Sequence, residues 1–153
     1  PMRIFDNFKL SKNEIFTIHQ ETSKNLHRDL VAVKEKSKVA LALSPATSLE
    51  HLEYVIEELD NVLILTVNPG FQSQKMIPQI LRKIEKLKNL IEKMNLKLTI
   101  TVDGNVNKLT TPDFVRAGAD ILVLGSSGLF KKDVGIKNAV NEIKESIDKV
   151  NYG

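Results

Sequence analysis

The sequence predicts an α/β fold in which five consecutive βα units build one parallel sheet. Two observations support this prediction. Short apolar runs alternate along the chain with longer segments of helical period, which is the pattern of βα units. The runs are also nearly all apolar, as expected of strands that are buried on both faces. The predicted strands comprise residues 15–19, 39–43, 62–67, 98–102 and 121–124.

The segments between the strands are predicted to be helices, because their apolar residues recur every three or four positions. One such stripe follows the third strand and consists of Ile77, Ile80, Leu81, Ile84, Leu87, Ile91 and Met94. A second stripe, in a closing helix, consists of Ile136, Val140, Ile143, Ile147 and Val150. A further helix is predicted over residues 2–10, where four apolar side chains have roughly helical spacing.

Polar residues and glycine mark where these helices begin and end. Residues 22–23 and Ser48 stand where N-caps are expected. Residues 110–112 offer a threonine cap followed by proline, which suits the first turn of a short helix. Gly118 is then predicted to end that helix just before the last strand.

Composition narrows the class of protein. The 153 residues are 42% apolar, which fits a single domain over residues 1–153 with a substantial core. The formal charge of +3 is spread along the chain, which argues against a nucleic-acid-binding protein. Without cysteine there is no disulfide or thiolate metal site, and no apolar run reaches the length of a membrane span. The expectation is a cytoplasmic protein with no membrane association.

Glycine-bearing polar loops follow three successive predicted strands, at residues 68–74, 103–105 and 125–128. In parallel α/β folds the binding loops leave the C-terminal ends of the strands. Glycine lets backbone N–H groups approach an anion closely, so the first and last loops suit a phosphate group. A single loop of this kind is more often a plain tight turn, but two of them flanking an acidic loop on successive strands favour a binding site.

Asp103 directly follows the fourth apolar run, which puts a carboxylate at the mouth of the parallel strands. A carboxylate there either binds a divalent ion or moves a proton. The alternative is a structural one, in which the side chain caps the next turn.

The chain resembles the ribulose-phosphate 3-epimerase family, including the related allulose-6-phosphate 3-epimerases. The resemblance begins at residues 16–21 and 43–47 and becomes specific in three later loops. Those loops contain Asn68-Pro69-Gly70-Phe71 with Gln74, then Val102-Asp103-Gly104, then Gly125-Ser126-Ser127-Gly128-Leu129-Phe130. Two glycines that usually follow the Pro-Gly-Phe element are replaced by Gln72 and Ser73, and Asn105 stands for another common glycine.

The resemblance implies an isomerase that inverts one carbon of a ketose phosphate through an enediolate, assisted by a divalent metal ion such as Zn, Fe, Mn or Co. Asp103 matches an aspartate that is both a metal ligand and a catalytic proton donor. The residues matched to substrate contacts, mainly with the phosphate, are Gly70, Phe71, Gln72, Ser73, Gly104, Asn105, Gly125 and Ser126.

The resemblance also implies a partial TIM (β/α)8 barrel, in which the five predicted strands are strands 4 to 8. In the family the first three strands carry two metal-binding histidines and the second catalytic aspartate. His19 ends a strand at the right level, but a lone histidine is interpreted as a structural group rather than a ligand. His27 and His51 fall in helical segments and are interpreted as solvated.

Two other functions stay open at this point. One is a catalytically inactive remnant that binds phosphosugars. The other is a different phosphate-binding barrel enzyme, since similar final strands serve different reactions. In each case five strands alone would leave apolar edges uncovered, so a homo-oligomer is expected.

Overall fold

The computed structural model describes residues 1–71, 74–130 and 134–151 of the chain. The strands are β1 (Ile15–His19), β2 (Lys38–Leu43), β3 (Asn61–Leu65), β4 (Thr99–Asp103) and β5 (Ile121–Val123). The α-helices are α1 (Met2–Phe5), α2 (Leu26–Lys36), α3 (Ile80–Lys93), α4 (Thr111–Ala117) and α5 (Ile136–Asn151). Short 3-10 helices occupy Gln20–Thr22, Leu49–Leu52 and Ile56–Glu58.

The five strands form one parallel sheet in the order β1-β2-β3-β4-β5. This arrangement confirms the predicted α/β architecture, and the strand boundaries differ from the predicted ones by no more than two residues. The largest difference is at β3, which ends at Leu65. Thr66 nevertheless continues the pairing by donating its N–H to the backbone oxygen of Asp103 at 2.8 Å.

The two faces of the sheet differ in what covers them. Residues such as Leu41, Ile64 and Val102 are fully buried beneath the helices and form the core with the apolar stripes of those helices. The alternate residues point to the opposite face, where Ile121 is 41% and Val123 is 38% exposed. The second face is therefore open along its outer strands.

The two amphipathic helices are present as predicted by their apolar stripes. In α3 the buried side chains are Ile80, Ile84, Leu87 and Ile91. The helix begins at Ile80 rather than Ile77 because Pro78 disfavours the helical conformation of the residue before it. No helix in the described part of the chain is both long enough and apolar enough to cross a bilayer.

The opening helix is much shorter than predicted. It covers Met2–Phe5 only, and Phe8 and Leu10 lie outside it. The apolar spacing that predicted a helix over residues 2–10 instead reflects contacts with β1. Phe5 and Phe8 both pack edge-to-face against Phe16, with ring centroids 5.0 and 5.6 Å away.

Two of the four predicted helix boundaries are as expected. Ser48 accepts the N–H of Glu50 and caps the 3-10 helix Leu49–Leu52. Gly118 ends α4 in the left-handed conformation at φ 104°.

The other two boundaries differ in how they are capped. Residues 22–23 do not cap α2, whose N-cap is Asn25; the Ser23 hydroxyl instead donates to Asp29 in the first turn. Thr110 precedes α4, with Pro112 in the first turn as expected, but its hydroxyl donates to the backbone oxygen of Asn105 rather than capping the helix.

Candidate active site

Asp103 is the last residue of β4, at the edge of the sheet where the parallel strands end. It is half-buried and pairs with Leu65 of β3 on one side and with Val123 of β5 on the other. All three side chains project from the open face of the sheet, because paired residues in a parallel ladder point the same way. The carboxylate thus lies at the mouth formed by the strand ends.

A cleft of about 160 Å³ surrounds this carboxylate. It is lined by Val67, Phe71, Gln74, Asp103, Gly104, Asn105, Val106, Val123, Gly125, Ser126 and Ser127. Among the residues predicted to bind substrate, those at positions 71, 104, 105, 125 and 126 come together here. Gly70 precedes Phe71 in the same loop but does not line the cleft, and Gln72 and Ser73 lie outside the described residues.

Gly104 is required by the geometry of the cleft floor. Its φ is +115°, and a Cβ atom added there would lie 2.7 Å from Cγ2 of Val67 and 2.8 Å from Oγ1 of Thr66. The buried Thr66 hydroxyl donates to the backbone oxygen of Gly104. The absence of a side chain therefore lets the loop after β4 pack directly against the end of β3.

Asn105 occupies a position where glycine is common in the related family, and the backbone explains why asparagine is accepted. Its φ is +49°, in the left-handed region that asparagine tolerates better than most residues. Its backbone oxygen accepts the Thr110 hydroxyl at 2.7 Å and the Asn107 amide at 2.9 Å. The departure at Asn105 thus leaves the loop conformation intact.

Gln74 is a cleft residue that was not among the predicted substrate contacts. Its amide nitrogen donates to the backbone oxygens of Asn68 at 2.6 Å and Phe71 at 2.9 Å. These bonds fasten both ends of the Asn-Pro-Gly-Phe turn. The sequence does carry a signal for this residue, since Gln74 belongs to the family resemblance, but it does not identify the backbone oxygens that the side chain binds.

The loop after β5 turns back on itself at Gly125. The backbone oxygen of Gly125 accepts the N–H groups of Gly128, Leu129 and Phe130 at 3.2, 2.8 and 3.3 Å. Those three N–H groups are therefore used within the turn itself. The loop is also tied to its neighbour, because the Ser127 hydroxyl donates to the backbone oxygen of Val106 at 3.2 Å.

A larger groove, of about 630 Å³, lies between the loop after β2 and α3. It contains none of the predicted site residues, and its charged lining consists of Glu50, Arg82, Lys83 and Lys86. The larger cavity is therefore not the one that contains the predicted site residues. We place the site in the smaller cleft, because there a carboxylate at the strand ends meets two glycine-bearing loops.

The residues present do not fit a complete metal site. Within residues 1–71, 74–130 and 134–151, no three His, Asp or Glu side chains are grouped so as to hold a metal ion. Among the described residues that line the cleft, Asp103 is the one acidic side chain. Nδ1 of His19 lies 3.9 Å from the Glu21 carboxylate, in keeping with a structural role, and His27 and His51 are exposed on helices.

Glu21 lies just beyond β1 and is held by the neighbouring loop. The stability of the fold should therefore depend on whether its carboxyl group is ionised. Burial raises the pKa of Glu21, but hydrogen bonds from Thr47 and Ser44 together lower it below its ordinary value. A carboxyl group with a lowered folded pKa stabilises the fold above its unfolded pKa, and that contribution is lost as the pH falls through the folded pKa.

We therefore expect the full-length protein to have a higher Tm than its Glu21→Gln variant near neutral pH. The difference should shrink as the pH falls from the unfolded pKa, about 4.3, through the lower pKa of the folded state, because below both values the carboxyl group is protonated in both states. Thermal unfolding of both proteins across this range checks the prediction. A difference in Tm that did not vary with pH would contradict it.

Comparison with known proteins agrees with this geometry. A family model described as the ribulose-phosphate 3 epimerase family matches residues 1–130. The ribulose-phosphate 3-epimerase of Bacillus subtilis (strain 168) is 39% identical over 148 residues, covering 95% of this chain and 67% of that protein. The ribulose-phosphate 3-epimerase of Escherichia coli (strain K12) is 34% identical over 151 residues, covering 98% of this chain and 66% of that protein. The chain thus spans about two thirds of the length of these curated relatives.

A solved structure is similar in fold alone. The 3-hexulose-6-phosphate synthase from Salmonella typhimurium superimposes with a TM-score of 0.56 at 17% sequence identity, covering 89% of this chain and 62% of that one. The likeness supports the partial-barrel interpretation of the five βα units. The motifs of the three loops, the extent of the family match and the identity to named epimerases all lead to one assignment: the chain belongs to the ribulose-phosphate 3-epimerase family.

Proposed function

We propose that the full-length protein is a ketose-phosphate 3-epimerase that interconverts ribulose 5-phosphate and xylulose 5-phosphate. The observation that carries this proposal is the cleft in which the Asp103 carboxylate meets the glycine-bearing loops at Gly104 and Gly125. The family match, which extends over residues 1–130, supplies the class of reaction. A proton-transferring group beside a phosphate cradle is what this class of reaction requires.

The reaction assigns Asp103 to one face of the substrate carbon. A carboxylate takes the proton from the carbon beside the carbonyl, and the C–H electron pair becomes part of the enediolate double bond. An acid on the opposite face then returns a proton to the same carbon and leaves the inverted centre. One carboxylate can serve only one face, so the second acid or base is proposed to come from residues outside this sequence.

The phosphate is proposed to bind across the loops that close the other side of the cleft. Backbone amides at Gly104, Gly125 and Ser126 are the donors best placed for an anion, since the later amides of the last loop turn inward. Asn105 and Phe71 line the same cleft. The further candidates in the loop after β3 are Gly70, Gln72 and Ser73.

A divalent metal ion is the cofactor expected of this family, and Asp103 is proposed as one of its ligands. Because the described residues do not complete a metal site, the remaining ligands would come from the part of the protein outside this sequence. Bound beside the carbonyl, such an ion supplies electrostatic stabilisation of developing negative charge on oxygen. Its identity among Zn, Fe, Mn and Co is left to metal analysis of the purified protein.

We also propose that the protein forms a homo-oligomer. Ile15 on β1 is 46% exposed, and Ile121 and Val123 on β5 are exposed as well. Apolar side chains on the outer strands need cover, which a second copy of the chain would supply. The cytoplasmic location expected from the cysteine-free sequence stays a prediction.

The test uses the full-length protein, expressed from its own gene. Ribulose 5-phosphate and allulose 6-phosphate are supplied separately, each with a divalent metal ion and again after treatment with a chelator. We expect turnover of ribulose 5-phosphate that the chelator abolishes and that added metal restores. Turnover of allulose 6-phosphate alone would reassign the substrate. Binding of both sugars without turnover under any metal condition would replace the enzyme by a phosphosugar-binding protein.

A further inference from the structure

The loop that follows β2 is held from two opposite sides. We call residues 44–47 the β2 loop. On one side the Glu21 carboxylate accepts the N–H of Ser44 at 2.9 Å and the hydroxyl of Thr47. On the other side Nζ of Lys83 donates to the backbone oxygens of Ser44 at 2.9 Å, Thr47 at 2.6 Å and Pro45 at 3.4 Å. Two side chains of opposite charge thus hold the loop, Glu21 through two of its donors and Lys83 through three of its backbone oxygens.

These bonds join three successive βα units. Glu21 follows β1, the β2 loop follows β2, and Lys83 lies on α3, which follows β3. Beyond the strand ends the backbone has no ladder to satisfy its polar groups, so side chains take that role. The contacts therefore fix the position of the β2 loop relative to the strands on either side of it.

Partial burial of the charged Lys83 side chain costs free energy that an apolar side chain at the same place would not cost. Burial lowers the pKa of Lys83 to about 8, while the charge of Glu21 acts in the opposite direction. A half-buried ammonium that converges with three carbonyl oxygens of one loop gives less stability than apolar packing at the same place can give. What it does provide is a single defined geometry for the loop.

The β2 loop stands at the same level as Asp103. Leu43 pairs with Ile64, so the next residue, Ser44, is level with Leu65, which itself pairs with Asp103. Ser44 is therefore two strands away from Asp103 on the same edge, at a distance of about 10 Å given the usual spacing of strands. A ketose phosphate bound at Asp103 would lie within reach of this loop.

We propose that Lys83 and Glu21 are positioning residues that fix the β2 loop as a wall of the substrate mouth and so set the alignment of the reacting carbon with Asp103. This inference rests on the proposed epimerase function. Neither side chain touches the substrate. Because the proposed phosphate cradle lies on the far side of Asp103, at Gly104 and Gly125, the loop should affect the alignment of the sugar more than the binding of its phosphate.

The experiment compares variants of the full-length enzyme, with epimerisation kinetics on ribulose 5-phosphate. Lys83→Met removes the ammonium while keeping the length of the side chain, and we expect kcat to fall about ten- to a hundredfold with little change in KM. Lys83→Arg keeps a charged donor and should recover most of the lost kcat. Lys86→Met, at an exposed lysine on the same helix and in the same groove, is the matched control and should leave kcat unchanged.

Three outcomes would overturn the proposal. The first is a folded Lys83→Met enzyme with the kcat of the wild type, and the second is a loss that appears in KM alone. The third is a Lys83→Arg enzyme as impaired as Lys83→Met. If Lys83→Met does not fold, Glu21→Ala serves instead, because it removes the acceptor of the Ser44 N–H and of the Thr47 hydroxyl. An unchanged kcat in that variant would likewise overturn the positioning role.

The failure of this proposal and that of the proposed function are separable. A wild-type protein without turnover overturns the epimerase assignment and the positioning role with it. If the wild type is active and substitution of Lys83 and Glu21 leaves kcat unchanged, only the positioning role is overturned.

Discussion

Replacing Asp103 by asparagine is expected to lower the turnover of the full-length enzyme by about a thousandfold, the usual scale for loss of a group that transfers a proton. Asparagine has nearly the same size and leaves the pairing of β4 with β3 and β5 in place. It cannot accept a proton as a carboxylate does. Steady-state kinetics should show the loss in kcat, while calorimetry should show that ribulose 5-phosphate still binds through its phosphate.

Asp113→Asn is the matched control for this variant. Asp113 lies on α4 and is paired with Arg116 at 3.0 Å, away from the residues that line the cleft. The same chemical change there should leave kcat unaltered. Retention of more than roughly a tenth of the wild-type kcat by Asp103→Asn would show that Asp103 does not transfer the proton.

Replacing Gly104 by alanine is expected to lower the free energy of unfolding by about 2 to 4 kcal/mol. It is also expected to lower the turnover of the enzyme, because the cleft around Asp103 is distorted. Two effects add together. Alanine is strained at a φ of +115°, and its Cβ would meet Val67 and Thr66 at 2.7 and 2.8 Å. Relief of that contact requires the loop after β4 to move away from the end of β3, which displaces the neighbouring Asp103 and Asn105. Chemical denaturation and epimerase kinetics measure the two consequences.

Gly125→Ala provides the control for stability. Within the described residues, and leaving out the two chain neighbours of Gly125, no atom lies within 4 Å of a Cβ built there, and its φ is outside the left-handed region. Its free energy of unfolding should therefore stay within about 0.5 kcal/mol of the wild-type value. Equal free energies of unfolding for Gly104→Ala and Gly125→Ala would contradict the prediction, because they would show that a side chain at position 104 causes no strain.

The strands could be predicted from the sequence because a strand buried on both faces is a short run of almost only apolar residues. Residues 39–43 read as a strand, and β2 includes all of them. The opening segment was predicted wrongly for a related reason. Phe8 contributes to an apolar spacing, but its ring packs on Phe16 from irregular backbone, and spacing alone cannot distinguish this from a helical stripe. Contacts between distant segments decide such cases.

The cleft was accessible in part. Asp103 and the glycines at positions 104 and 125 could be singled out because parallel strands bring their C-terminal loops to one edge. The roles of Gln74 and Lys83 were not predicted, since each acts through backbone oxygens of another loop. A side chain that binds the backbone of another loop is not marked by a sequence motif. Its partners can be identified only from the folded structure.

The order of the sheet has a consequence for how the protein reaches this structure. Each of the strands β1 to β4 pairs with the strand that follows it in sequence, so each pairing closes only the loop of one βα unit. The entropy lost in closing such loops is modest, and folding rates rise as the contacts of a protein become more local. The sheet can therefore grow stepwise from any pair of adjacent units, without waiting for the ends of the chain to meet.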